Sequence, residues 1–122
     1  MINAKSTVRT LLINYATLTA LVPVNSILAD RPEVITTFPL ITIQTETIRL
    51  DADYKDNVPQ SDIIETTIHI WQKATGSTGA IATAIDDVMV LNLWGMERAI
   101  DLVEPDTKVQ HKVMNYSRRI FK

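Results

Sequence analysis

Two histidines, His69 and His111, are the side chains of this 122-residue sequence best suited to move protons or ligate a metal near neutral pH. A metal centre needs three or four such donors converging. Both histidines fall in predicted strands, at no spacing that makes a ligand pair, so they read as packed or surface residues. Asp51, Asp53 and Asp56 with Asn57 alternate like the oxygen ligands of a calcium loop. That loop needs glycine at its sixth position and a bidentate glutamate at its twelfth. Here those positions hold Asp56 and Asp62, and a solvated acidic loop is the better reading. No serine stands in a G-x-S-x-G elbow. Gly76-Ser77-Thr78-Gly79 precedes a predicted helix but lacks the lysine and spacing of a phosphate loop. Asp86 and Asp87 are sequence neighbours facing outward, not carboxylates opposed across a cleft. Trp71 and Trp94 end elements among apolar residues and suit packing more than stacking on bases or sugars. With zero cysteines, thiolate catalysis, disulfides and cysteine-ligated zinc are excluded. The sequence therefore offers no catalytic residue, no cofactor site and no metal site.

Charge says more than chemistry does. The net charge of −2 argues against a dedicated nucleic-acid binder. Residues 30–65 hold eight acids (Asp30, Glu33, Glu46, Asp51, Asp53, Asp56, Asp62, Glu65) against Arg31, Arg49 and Lys55. Residues 108–122 hold Lys108, Lys112, Arg118, Arg119 and Lys122 and no acid. Tyr116 and Phe121 are interleaved with these bases, a pattern that could bind phosphate; protein–protein contact fits the acidic remainder of the chain better. Opposite charges in separate stretches can steer one copy onto another head to tail. Composition is that of a globular protein, 46% hydrophobic and 21% charged. Apolar runs are too short for a membrane span, and the N-terminus has no secretory pattern.

The elements that must position these residues follow from periodicity. Val8, Leu11, Leu12 and Tyr15 form one helical stripe behind a cap at Ser6 or Thr7. Ser26 to Ala29 can form a short strand, and Asp30 to Thr37 reads as a loop. Leu40 to Leu50 alternates as a strand, with Ile41, Ile43, Thr45 and Thr47 on one face; Asp62 to Lys73 does the same with Ile64, Thr66, Ile68 and Ile70. Between them Asp51 to Ser61, polar and interrupted by Pro59, reads as a long mobile connection. Ile81, Ala84, Ile85, Val88 and Met89 make a second helical stripe, which Gly95 or the turn before it ends. Met96 to Val103 and Lys108 to Phe121 flank the turn signal Glu104-Pro105-Asp106-Thr107 and form a final hairpin. The expectation is an α+β fold in one domain, residues 1–122: two helices packed on a mainly antiparallel sheet with long hairpins.

Length adds a constraint. A domain this size is roughly 35 Å across, whereas a strand over Thr107 to Phe121 would reach about 50 Å. It must bend or overhang. Val109 and Val113 are odd-numbered but Met114, Tyr116 and Ile120 even-numbered, so a bulge is expected near Val113 and Met114.

The order of these features resembles the small tail-completion (tail-terminator, tail-to-head joining) proteins of long-tailed bacteriophages. The likeness is carried by Leu18-Thr19-Ala20-Leu21-Val22 closing the first helix, by Arg31-Pro32, and by the strand Phe38 to Ile43. It continues through Ile68-His69-Ile70-Trp71, a single helix, and a last hairpin turning at Asp106 and Thr107. The basic C-terminal end departs from the family, where that end is simply polar. The resemblance implies a non-enzymatic ring subunit, commonly six to a ring, which caps the tail tube. Its partners would be copies of itself, the major tail tube protein and the head connector or stopper, with no membrane and no nucleic acid. It would sit in the virion tail after assembly in the bacterial cytoplasm. Asp51, Asp53, Tyr54, Asp56, Arg118, Arg119 and Lys122 are the expected subunit or tube interface. The alternatives are a head-side adaptor or minor tail protein, and, from a different class, a small ligand-binding domain.

Overall fold

The first apolar stripe does form a helix, α1 (Ala4–Ile13), in which Val8 and Leu12 are completely buried and Leu11 and Ile13 partly so. Ser6 and Thr7 lie inside its first turns instead of capping it. The chain turns extended at Tyr15 and resumes as the single helical turn α2 (Ala16–Thr19), with Leu18 and Val22 in the core. After Pro23 a short 3-10 turn (Val24–Ser26) leads into the two-residue strand β1 (Ile27–Leu28). Arg9 fastens α1 to that strand, its Nε donating to the Ile27 carbonyl at 2.8 Å. The remaining elements are β2 (Leu40–Lys55), β3 (Val58–Gln72), α3 (Gly79–Leu91), β4 (Gly95–Val103) and β5 (Gln110–Phe121). The computed structural model describes residues 4–30, 32, 38–55, 58–73, 78–103, 105 and 108–121.

The five strands form one sheet in the order β1-β2-β3-β5-β4, antiparallel except for β1 against β2. One core joins the helices to one side of this sheet. Ile41, Ile43, Ile64, Ile68, Ile70, Met114 and Tyr116 meet Val8, Leu12, Ile81, Ile85, Val88, Met89 and Trp94 there. The α+β architecture with long hairpins is as the periodicity implies, with α2 added to the two expected helices.

Residues 51–61 are not a long loop. β2 continues to Lys55 and β3 starts at Val58, so only positions 56 and 57 separate them. Antiparallel ladders satisfy backbone groups whatever the side chains are, and a strand that covers no core shows no alternating apolar signal. Pro59 is tolerated because β5 ends opposite Ser61, leaving Pro59 with no strand on that side to require its missing N–H.

Register also departs from the simple alternation. β2 shifts against β3 between Ile43 and Thr45, so Thr45 and Thr47 stand opposite Thr67 and Glu65, not with the core row. β5 carries no bulge at Val113 and Met114; it pairs with β3 without interruption from Gln110 to Phe121. The shift lies in β4, between Met96 and Arg98. Both faces of the sheet are partly buried at this level, which is why Val113 and Met114, on opposite faces, can both be apolar. The helix end differs too. Asn92 closes α3, its Nδ2 donating to the Val88 carbonyl, and Leu93 takes the left-handed backbone (φ 68) while Gly95 opens β4. A side chain in that conformation costs about 1 kcal/mol. The turn residues Asp106 and Thr107 lie outside the described residues.

Candidate functional site

The β3–β5 register brings together two side chains that the sequence keeps apart. Trp71 stands opposite His111, and His69 opposite Val113, so the two imidazoles are diagonal neighbours on the face away from the helices. His69 Nδ1 and His111 Nε2 are 2.7 Å apart. His111 stacks on Trp71 with ring centres at 3.7 Å, and the indole Nε1 donates to Thr42 Oγ1 at 3.1 Å. The 2.7 Å bond needs one nitrogen to donate and the other to accept, so the pair holds it only while at least one ring is neutral. Among the described residues no group of three or more His, Cys, Asp and Glu is placed to hold a metal. Sequence reasoning missed this pair because register, not spacing, creates it.

On the helical side, Tyr116 is buried and its hydroxyl donates to Asp86 Oδ1 at 3.0 Å, tying β5 to α3. Burial, then the hydrogen bond to Asp86 and its charge, push the Tyr116 phenol well above the ordinary tyrosine range. The folded state thus holds this proton more tightly than the unfolded chain, whose tyrosines titrate near pH ~10. The associated stability is present below that pH and is lost as pH rises above it. Tyr116→Phe should cost about 1 kcal/mol at neutral pH through the lost hydrogen bond. Its stability deficit relative to wild type should shrink as pH climbs beyond about 10. Chemical denaturation of both proteins across that range measures it; a deficit constant with pH would contradict the assignment.

The expected interface residues gather at one end of the sheet. Asp51, Asp53 and Tyr54 lie in the outer stretch of β2, and Arg118 and Arg119 in the last turns of ladder on β5. Asp56 and Lys122 lie outside the described residues. Asp53 is registered with Ser61, and Ser61 with Phe121; Arg49 is registered with Ile63, and Ile63 with Arg119. The acidic and basic stretches are therefore two strands apart in one molecule, roughly 10 Å, not on separate surfaces. β4 begins opposite Ser117, so β2, β3 and β5 run on beyond it as a three-stranded arm. Arg119 is exposed on the open side of this arm, half-buried Ile63 beside it, and one Nη donates to the buried Ser61 Oγ at 3.2 Å.

A second surface was not foreseen. Val90, Leu91 and Leu93 are 56%, 74% and 75% exposed where α3 turns into β4, with Met96 close behind in sequence. Tyr15, Asp86, Asp87, Val90 and Leu91 line an open groove of about 430 Å³ there, in the helical layer. Sequence could have flagged it: Val90 and Leu91 prolong the apolar run of α3 beyond the buried stripe.

These features define a class first: an α+β subunit with helices on one side of a five-stranded sheet and a projecting strand arm. The chain belongs to the family described as Tail completion protein gp17, whose model matches residues 6–120. It is accordingly a structural protein of the bacteriophage tail. No curated protein matches the sequence. Among solved structures, a chain from the virion of a native gene transfer agent particle shares the fold, with a TM-score of 0.74 and 16% identity. That match covers 97% of this chain and 94% of the other.

Proposed function

We propose that this protein is a non-enzymatic tail terminator: copies of it, six in number, form a ring on the end of the tail tube, stop tube growth and present a surface to the head connector. The observation that carries the reading is the strand arm, which projects past β4 and gathers Asp51, Asp53, Tyr54, Arg118 and Arg119. Membership of the tail-completion family supports it. A ring needs two different surfaces on each subunit that close on one another, and the arm is one of them. The work done is geometric. One rim covers polymerising tube subunits and the other docks the connector, in the bacterial cytoplasm before the particle is complete.

Electron microscopy of tails made in cells lacking this protein tests the proposal. Overlong tails unjoined to filled heads are the expected result, restored to normal length when the protein is supplied. Tails of normal length joined to heads would exclude termination.

A further inference from the structure

The groove beside α3 and the Arg119 face of the arm lie on opposite sides of the sheet. From position 74 to 97 the sequence has Asp86, Asp87 and Glu97 and no basic residue, whereas the end of β5 in the arm brings Arg118 and Arg119, with Asp51 and Asp53 two strands away. Asp86 is engaged by Tyr116, which leaves the exposed Asp87 as the carboxylate at the groove's rim. Apolar patches of this kind on a small subunit mark contact surfaces. The left-handed backbone of Leu93 closes α3, setting the Leu93 and Trp94 amides on the Val90 and Met89 carbonyls, and it leaves the Leu93 side chain 75% exposed beside the groove.

Resting on the ring reading, we infer that the groove of one subunit receives the arm of the next copy, with Asp87 facing Arg119 and with Val90, Leu91 and Leu93 packed against the region of Ile63. The occupant is a second copy because the chain itself supplies the complementary surface: an aliphatic side chain with a guanidinium beside it. A guanidinium has five N–H donors, enough to hold Ser61 and a carboxylate together. The two patches cannot meet within one molecule, since the arm's Arg119 face looks away from the helical layer. Between molecules this is a head-to-tail contact, the kind from which rings are built.

Exchanging charges tests the contact with the full chain. Asp87→Lys and Arg119→Glu should each weaken self-association by roughly 100-fold, read by analytical ultracentrifugation at high concentration and by incorporation into purified tails. An equal mixture of the two variants should assemble again. In alternating order, each substituted groove meets a substituted arm, and each native groove a native arm. Arg119→Gln keeps a donor for Ser61 and removes only the charge, so it should weaken assembly by about tenfold with the thermal midpoint unchanged. Variants that assemble like wild type, or a mixture that fails to recover, would overturn this contact and leave the ring intact. A wild-type protein found as single copies both in solution and on tails would sink the ring reading itself.

Discussion

Ile68→Ala is expected to lower the unfolding midpoint by about 10 °C or more. Ile68 is 0% exposed, stands in register between Ile43 and Met114, and belongs to the core that the helices close with Val8, Leu12, Ile85 and Met89. Ladders on both sides hold β3, so the backbone has little freedom to collapse into the space. Truncating a buried isoleucine typically costs about 2–5 kcal/mol, the lost transfer energy plus a cavity. For a chain this size each kcal/mol is worth about 4 °C at the midpoint. A native state stable by about 5–15 kcal/mol survives the change but is visibly weakened. Leu91→Ala is the control. That side chain is 74% exposed, so its removal should leave the midpoint nearly unchanged. A differential scanning experiment in which both variants melt together would show that the core is misplaced.

The second large effect is on assembly. Arg49 and Ile63 stand opposite each other, so residues 50–62 can be replaced by Asn-Gly, a pair that closes a two-residue hairpin. The buried row from Ile64 to Ile70 is untouched, and circular dichroism should show a folded protein. Incorporation into tails should nevertheless fall by roughly 100-fold, because a few central residues carry most of the energy of an interface. Normal incorporation of the shortened protein would remove the arm from the contact surface. Loss of the fold, in turn, would mean that the arm supports the sheet instead of projecting from it. The comparison is informative because the exposed Leu91, neutral for folding, should behave like the arm and not like Ile68 in the same assembly assay.

These contrasts reflect a division within the molecule. Helices and core occupy one side of the sheet, at the end where β4 and β5 pair, and there nearly every buried side chain serves the fold. At the other end β2, β3 and β5 extend past β4, and in the helical layer an apolar groove stays open. Exposed salt bridges such as Lys5–Asp30 and Lys112–Asp101 add little to stability. The charges proposed to meet a partner are instead Asp87 on α3 and Arg119 near the end of β5.

The amino-acid order alone determined the helices α1 and α3, the inner halves of β2 and β3, and the β4–β5 hairpin, because burial of one face imposes a period that can be read directly. It also determined the absence of cysteine chemistry and the uneven distribution of charge. Only the tertiary structure decided three other matters. Residues 51–55 and 58–61 are strand, since backbone ladders there need no apolar pattern. His69 and His111 touch, since cross-strand register is fixed by the whole sheet and by no local spacing. The acidic and basic stretches share one end of one sheet, since β3 pairs with β2 on one side and with β5 on the other. Pairing between distant segments follows from the summed fit of a common core, and no single stretch of the chain contains that sum.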